Sequence, residues 1–188
     1  MFNHSARSYL FARLVAAAST WPPAGTTTTT CCSPPARCTT SVSPPTARTA
    51  SASVEGADRA AEFLIRHGTS TADADQVWQA IALHTSPGIA ERRGTLCVLV
   101  REGVGLDFGG PLAASHLDAV TDEMADAVHA AFPRLDMVRS LTDAIVAQAA
   151  KDPKNAPRYA IPGELLRERE TFGRTRLEHA CRSSRWGN

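Results

Sequence analysis

The side chain best placed for chemistry is His84. Val77, Ala80, Ile81 and His84 recur at spacings of three, one and three, which puts the imidazole on the apolar face of a helix and aims it inward. An inward imidazole can ligate a metal or move a proton, and it can equally be a core residue satisfied by a backbone partner. Both readings stand on this stretch alone. The thiols offer less. Cys31, Cys32 and Cys38 follow no zinc-ligand spacing, and five cysteines in all form an odd set, so neither a disulfide framework nor a metal knuckle is indicated. That usage suits a reducing compartment and hence a cytoplasmic protein. Asn3-His4-Ser5 matches a glycosylation acceptor, a pattern short enough to arise by chance.

The helix that carries His84 is well marked. Ser70 with Asp73 reads as an N-cap pair, Asp73 and Asp75 place negative charge at the positive end of the helix dipole, and Pro87-Gly88 stops the helix. Residues 2–18 read as another helix. Phe2, Ala6, Leu10, Leu14 and Ala17 form one stripe and His4, Ser8, Phe11 and Val15 an adjacent one, so this helix is wide-faced and buried. Ala60, Ala61, Phe63, Leu64 and Ile65 form a short helix that Gly68 can cap. The run Leu96-Cys97-Val98-Leu99-Val100 fits a helix or a buried strand, and Gly103-Val104-Gly105-Leu106-Asp107 follows it. Leu117, Val120, Met124, Val128 and Ala131 make a stripe ended by Pro133; Val138, Leu141, Ile145 and Ala149 make another, closed by Lys151 and Pro153. No alternating strand pattern occurs. The expected fold class is all-α.

The 188 residues carry a net charge of +1 and are 43% hydrophobic. This balance gives no general attraction to nucleic acid, and no apolar run reaches membrane-spanning length. The acids are segregated, however: residues 1–54 contain no Asp or Glu, and all 19 lie from Glu55 onward. Between Trp21 and Ser53 the chain is Thr, Ser, Pro, Ala and Cys with almost no large apolar residue, too little to offset its chain entropy by burial. Disorder is expected there. The expected layout is a first helix in residues 1–20, a low-complexity segment in 21–53, a helical domain in 54–152 and an Arg-rich helix or tail in 153–188. Arg7, Arg13 and the acid-free continuation also resemble a transit or poor secretory sequence, although Arg13 interrupts any secretory apolar core. The C-terminal arginines lack interleaved aromatic residues and read as a solvated helix and tail.

Three segments together resemble the HD-domain metalloprotein superfamily, and most closely its cyanamide-hydratase-like branch. They are Phe2-Asn3-His4-Ser5 with Arg7-Ser8-Tyr9-Leu10-Phe11, then Val54-Glu55-Gly56-Ala57-Asp58, and then Trp78 through Ala-Ile-Ala-Leu-His-Thr-Ser-Pro-Gly-Ile. The resemblance covers the first helix and nearly everything in residues 54–150. It implies a helical bundle around a divalent metal (Zn, Fe or Mn), with a first His on an early helix, a His-Asp pair on the next, and a late Asp. His4 falls on the first position and Asp107 on the last, while His84, with Thr85 beside it, falls on a helix that lines the metal pocket. The implied activity is metal-dependent hydrolysis or hydration of a small molecule. A metal with an open position lowers the pKa of its water to about 7, and Glu55 could orient that water or simply be a helix-leading acid.

The chain departs from the family where the His-Asp pair should lie, since residues 14–53 hold neither His nor Asp. Two missing ligands predict weak or absent metal binding and an impaired enzyme. A one-nucleotide shift of reading frame accounts for the departure. Asp codons read one nucleotide late become Thr codons, so Thr26 to Thr30 with Cys31-Cys32 correspond to Asp-Tyr-Asp-Asp-Asp-Leu-Leu. Likewise Cys38-Thr39-Thr40-Ser41-Val42-Ser43 corresponds to Leu-His-Asp-Leu-Gly-Leu. A natural low-complexity linker is the alternative for the segment. For the whole chain the alternative is a non-catalytic helical binding protein or degenerate homologue.

Overall fold

The computed structural model describes residues 2–19, 52–110 and 116–187. Among them every regular element is helical and no strand occurs, so the protein is all-α. The segment read as disordered, residues 22–53, lies outside the described residues apart from its last two positions. Those two, residues 52 and 53, open a helix.

Helix α1 (Phe2–Ala18) lies along α4 (Thr95–Asp107), the most extensive helix pair among the described residues. The stripe led by His4, Ser8, Phe11 and Val15 is the buried one, and Ser5, Ala6 and Arg7 are buried with it. Phe2, at the head of the more apolar stripe, is 52% exposed. The reason is local. Gly103 lacks a side chain where α4 meets α1, and a Cβ there would collide with the Ser8 carbonyl oxygen and come within 2.9 Å of the Ala12 Cβ. This close approach draws the small and polar residues of α1 inward. Phe11, Val15, Leu99, Leu106, Val120, Ala125 and Val128 close the core around it.

Helices α2 (Ala52–Arg66) and α3 (Thr71–Leu83) form a hairpin whose turn uses Gly68 at φ +88°. Ala57, Ala60, Val77 and Ile81 pack between them, and the Trp78 indole donates to Asp58 Oδ1 at 2.8 Å. The start of α3 agrees with the expected cap: Ser70 Oγ accepts from the Asp73 amide at 3.1 Å and donates to Asp73 Oδ2 at 2.8 Å. Replacing Ser70 with Ala should cost about 1 kcal/mol, seen as a lower denaturant midpoint at unchanged slope. An unchanged midpoint would remove the cap from the accounting.

The ambiguous apolar run resolves as helix. Leu96-Cys97-Val98-Leu99-Val100 and the glycine-containing stretch to Asp107 are one continuous α4. Leu117 stands apart in a 3-10 turn, because Thr121 caps α5 (Asp122–Ala131) by accepting from the Met124 amide. Pro133 follows the end of α5, then come α6 (Met137–Ala149), α7 (Ile161–Phe172) and α8 (Arg176–Arg182), the last opened by a Thr175/Glu178 capping box.

The C-terminal stretch is not a solvated tail. Arg169 pairs with Asp143 and Glu178, Arg176 with Glu168, Arg167 with Glu164, and Arg185 with Asp122. Leu165 and Cys181 are buried, and α7 packs on α6. Four of the seven arginines from Arg158 onward are thus spent on partners within the chain.

Candidate functional site

At the end of α4 lies Asp107, fully buried and surrounded by donors. His4 Nδ1 donates to Asp107 Oδ2 at 2.6 Å. Arg7 grips the carboxylate from the same helix face, Nε to Oδ1 at 2.6 Å and Nη2 to Oδ2 at 3.0 Å. Its Nη1 donates to the carbonyls of Phe132 and Pro133 at 3.0 and 2.9 Å. Arg134 Nη1 donates to the Asp107 carbonyl at 2.6 Å and lies 3.5 Å from Oδ1. The spacing i, i+3 is what lets His4 and Arg7 reach one acceptor. Burial opposes ionisation of Asp107, but the hydrogen bonds and charges of His4 and Arg7 outweigh it and hold the carboxyl below its ordinary range.

His84 ends α3 and is half-buried. Its Nδ1 donates to the Ile81 carbonyl at 2.7 Å, which leaves Nε2 as the acceptor nitrogen. Burial chiefly lowers its pKa; the Ile81 contact opposes this, and the charges of His4 and Arg101 lower it further. His84 is therefore a neutral imidazole close enough to His4 to feel it. Arg101 fastens the following turn, donating to the His84 carbonyl at 2.9 Å and to Glu91 Oε1 at 2.7 Å. Thr85 is exposed beside it, and Glu55 is half-buried in the first turn of α2, where no described residue bonds its carboxylate.

The structure thus joins His4 to Asp107 directly and brings His84 within electrostatic reach, while Glu55 and Thr85 make no contact with that pair. Arg7 is the residue that the sequence reading undervalued. It appeared only as part of a motif, although an arginine one turn from His4 on a buried helix requires a buried acid.

A divalent metal does not fit this donor set. Both Asp107 oxygens are already bonded, two guanidinium groups lie against them, and a further cation would be placed among cations. Among the described residues no three His, Cys, Asp or Glu side chains are grouped as a metal would need.

No family model, curated protein or solved structure matches the chain.

Proposed function

We propose that this chain is an HD-domain-like helical bundle, a homologue of metal-dependent hydrolases and hydratases of the cyanamide-hydratase-like branch, in which the metal chemistry is impaired. The observation that carries the reading is the contact between His4 on the first helix and Asp107 at the end of a later one, 103 residues apart and 2.6 Å from each other. These are the two outer positions of the HD pattern that survive in this sequence. The His-Asp pair between them is missing, and Arg7 supplies the positive charge that the carboxylate requires. In this reading the parent type acts on a small molecule in the cytoplasm, and the present chain keeps the scaffold as a non-catalytic helical protein. The two buried free thiols suit that compartment, with Cys181 pushed by burial up to about 11 and so inert.

Metal analysis and thermal melts of two proteins test this. The present chain should purify without stoichiometric zinc, iron or manganese and should melt identically with and without EDTA. A chain with the frame restored, so that residues 38–43 read Leu-His-Asp-Leu-Gly-Leu, should bind divalent metal and lose stability when EDTA is added. Stoichiometric metal in the present chain would overturn the impairment. A repaired chain that binds none would remove the HD assignment.

A further inference from the structure

The last described residues turn back onto the end of α4. The Trp186 indole donates to the Leu106 carbonyl at 2.6 Å, and Arg134, already on the Asp107 carbonyl, donates through Nη2 to the Gly187 carbonyl at 3.2 Å. Arg185 donates to Asp122 Oδ1 at 2.9 and 2.6 Å and to the Leu117 carbonyl at 3.0 Å, and its guanidinium lies 4.5 Å from the Trp186 ring centre. Gly109, at φ +75°, makes room, because a Cβ there would stand 2.8 Å from the Ser184 Cβ and 3.1 Å from Trp186 Cδ1. Leu106 and Asp107 belong to the last turn of α4; the Leu106 carbonyl accepts from the Gly109 amide at 2.8 Å, and the indole supplies its second donor. The returning segment therefore caps the helix that carries Asp107.

What pins it is a trio of rings. Trp186 lies parallel to the fully buried Phe11, with centroids 6.1 Å apart and 3° between the planes. His129 stands edge-on to both, 6.0 Å from Phe11 and 5.6 Å from Trp186. Its Nε2 is buried and has no hydrogen-bond partner among the described residues. The charged groups facing His129 are Arg7 from α1, Asp107 from α4, Arg134 after α5 and Asp126 on α5 itself. Asp107 is already engaged by Arg7 and His4. A proton on His129 would thus add a cation beside two arginines, with no acceptor at Nε2.

We infer that residues 184–187 are a strap over the Asp107 end of α4, and that proton uptake by His129 releases it. The strap stands independently of the HD-type reading. Burial, with the charges of Arg134 and Arg7, outweighs the two aspartates and lowers the pKa of His129 below its ordinary 6.5. On release the ring loses the burial that Trp186 supplies but stays beside Arg7 and Arg134, so docking is at full strength wherever the released ring is neutral. As the pH falls further, the released ring takes the proton more readily than the docked one, and docking weakens by up to about tenfold per pH unit until the docked ring also titrates. Release would uncover Phe11, leave the Leu106 carbonyl with the Gly109 amide and free Arg134 from Gly187.

The test follows the indole N–H resonances of the ¹⁵N-labelled full chain from about pH 8 to about pH 5, with the Trp186 signal assigned by its loss in Trp186→Phe. The Trp186 signal should move to its water-exposed position below pH 6.5 and exchange faster with solvent, while the Trp78 signal, bonded to Asp58, stays in place. In His129→Phe, which keeps the ring and removes the titration, Trp186 should remain docked throughout; His129→Gln should do the same if it folds. A Trp186 signal that stays docked or tightens on acidification would overturn the inference. So would a release that persists in His129→Phe.

Discussion

Arg7→Met is expected to lose about 3–5 kcal/mol of stability, because it leaves the Asp107 carboxylate buried with one of its two arginines gone. For a chain of this length that is a fall in Tm of roughly 10 °C. Methionine fills most of the arginine's volume, so the loss reports charge and hydrogen bonding more than a cavity. The remaining partners do not replace it: Arg134 is 3.5 Å from Oδ1, and His4 at 2.6 Å bonds one oxygen only. The pH dependence should also weaken. In the native chain Asp107 is held below its ordinary 3.8, so its contribution is complete above that value and is lost as the pH falls through the lowered pKa. Without Arg7 the lowering shrinks, because only His4 remains to oppose burial, and the loss of stability on the acid side shrinks with it. Asp107→Asn added to Arg7→Met should restore part of the loss, and urea titrations at several pH values measure all of this. A native-like midpoint for Arg7→Met would show that the guanidinium contributes nothing there.

Gly103→Ala carries the second large effect, and here two principles disagree in sign. Helix propensity favours alanine over glycine by about 1 kcal/mol. The new Cβ, however, meets the Ser8 carbonyl oxygen and lies 2.9 Å from the Ala12 Cβ, so backbone must move. Overpacking of this kind costs about 1–3 kcal/mol, and a backbone obstacle puts it at the upper end. The net expectation is destabilisation, with faster amide exchange along α1 as it is pushed from α4. A stabilised Gly103→Ala protein would mean that the two helices are not packed as closely as described.

These two residues show what could be read from the chain beforehand. Where a pattern was local, the sequence sufficed. The Ser70–Asp73 cap, the apolar face of α3, the Gly68 turn and the all-α class follow from spacing and from residue conformational preference. Where the deciding partner was distant in sequence, it did not. Gly103 carried no signal of its role, since nothing nearby reveals that a second helix needs the space. The choice between the two stripes of α1 went to the less apolar one for the same reason. The resemblance put His4 and Asp107 at one metal site; in the structure they hydrogen-bond to each other at 2.6 Å. The guanidinium between them could not be placed without the fold. The C-terminal arginines looked solvated because their acids lie elsewhere, Asp143 on α6 and Asp122 on α5.

The span of the Arg7 contacts has a consequence for how the chain folds. Its partners lie 100, 125 and 126 residues away, so the cluster can form only after most of the polypeptide has been gathered. The α2–α3 hairpin closes a short turn and can form early. The ionic cluster is thus expected to form late and to contribute little in the folding transition state. Its strength is then felt mainly as slow unfolding and little as fast folding, and Arg7 acts chiefly as a kinetic latch that sets how long a folded molecule stays folded.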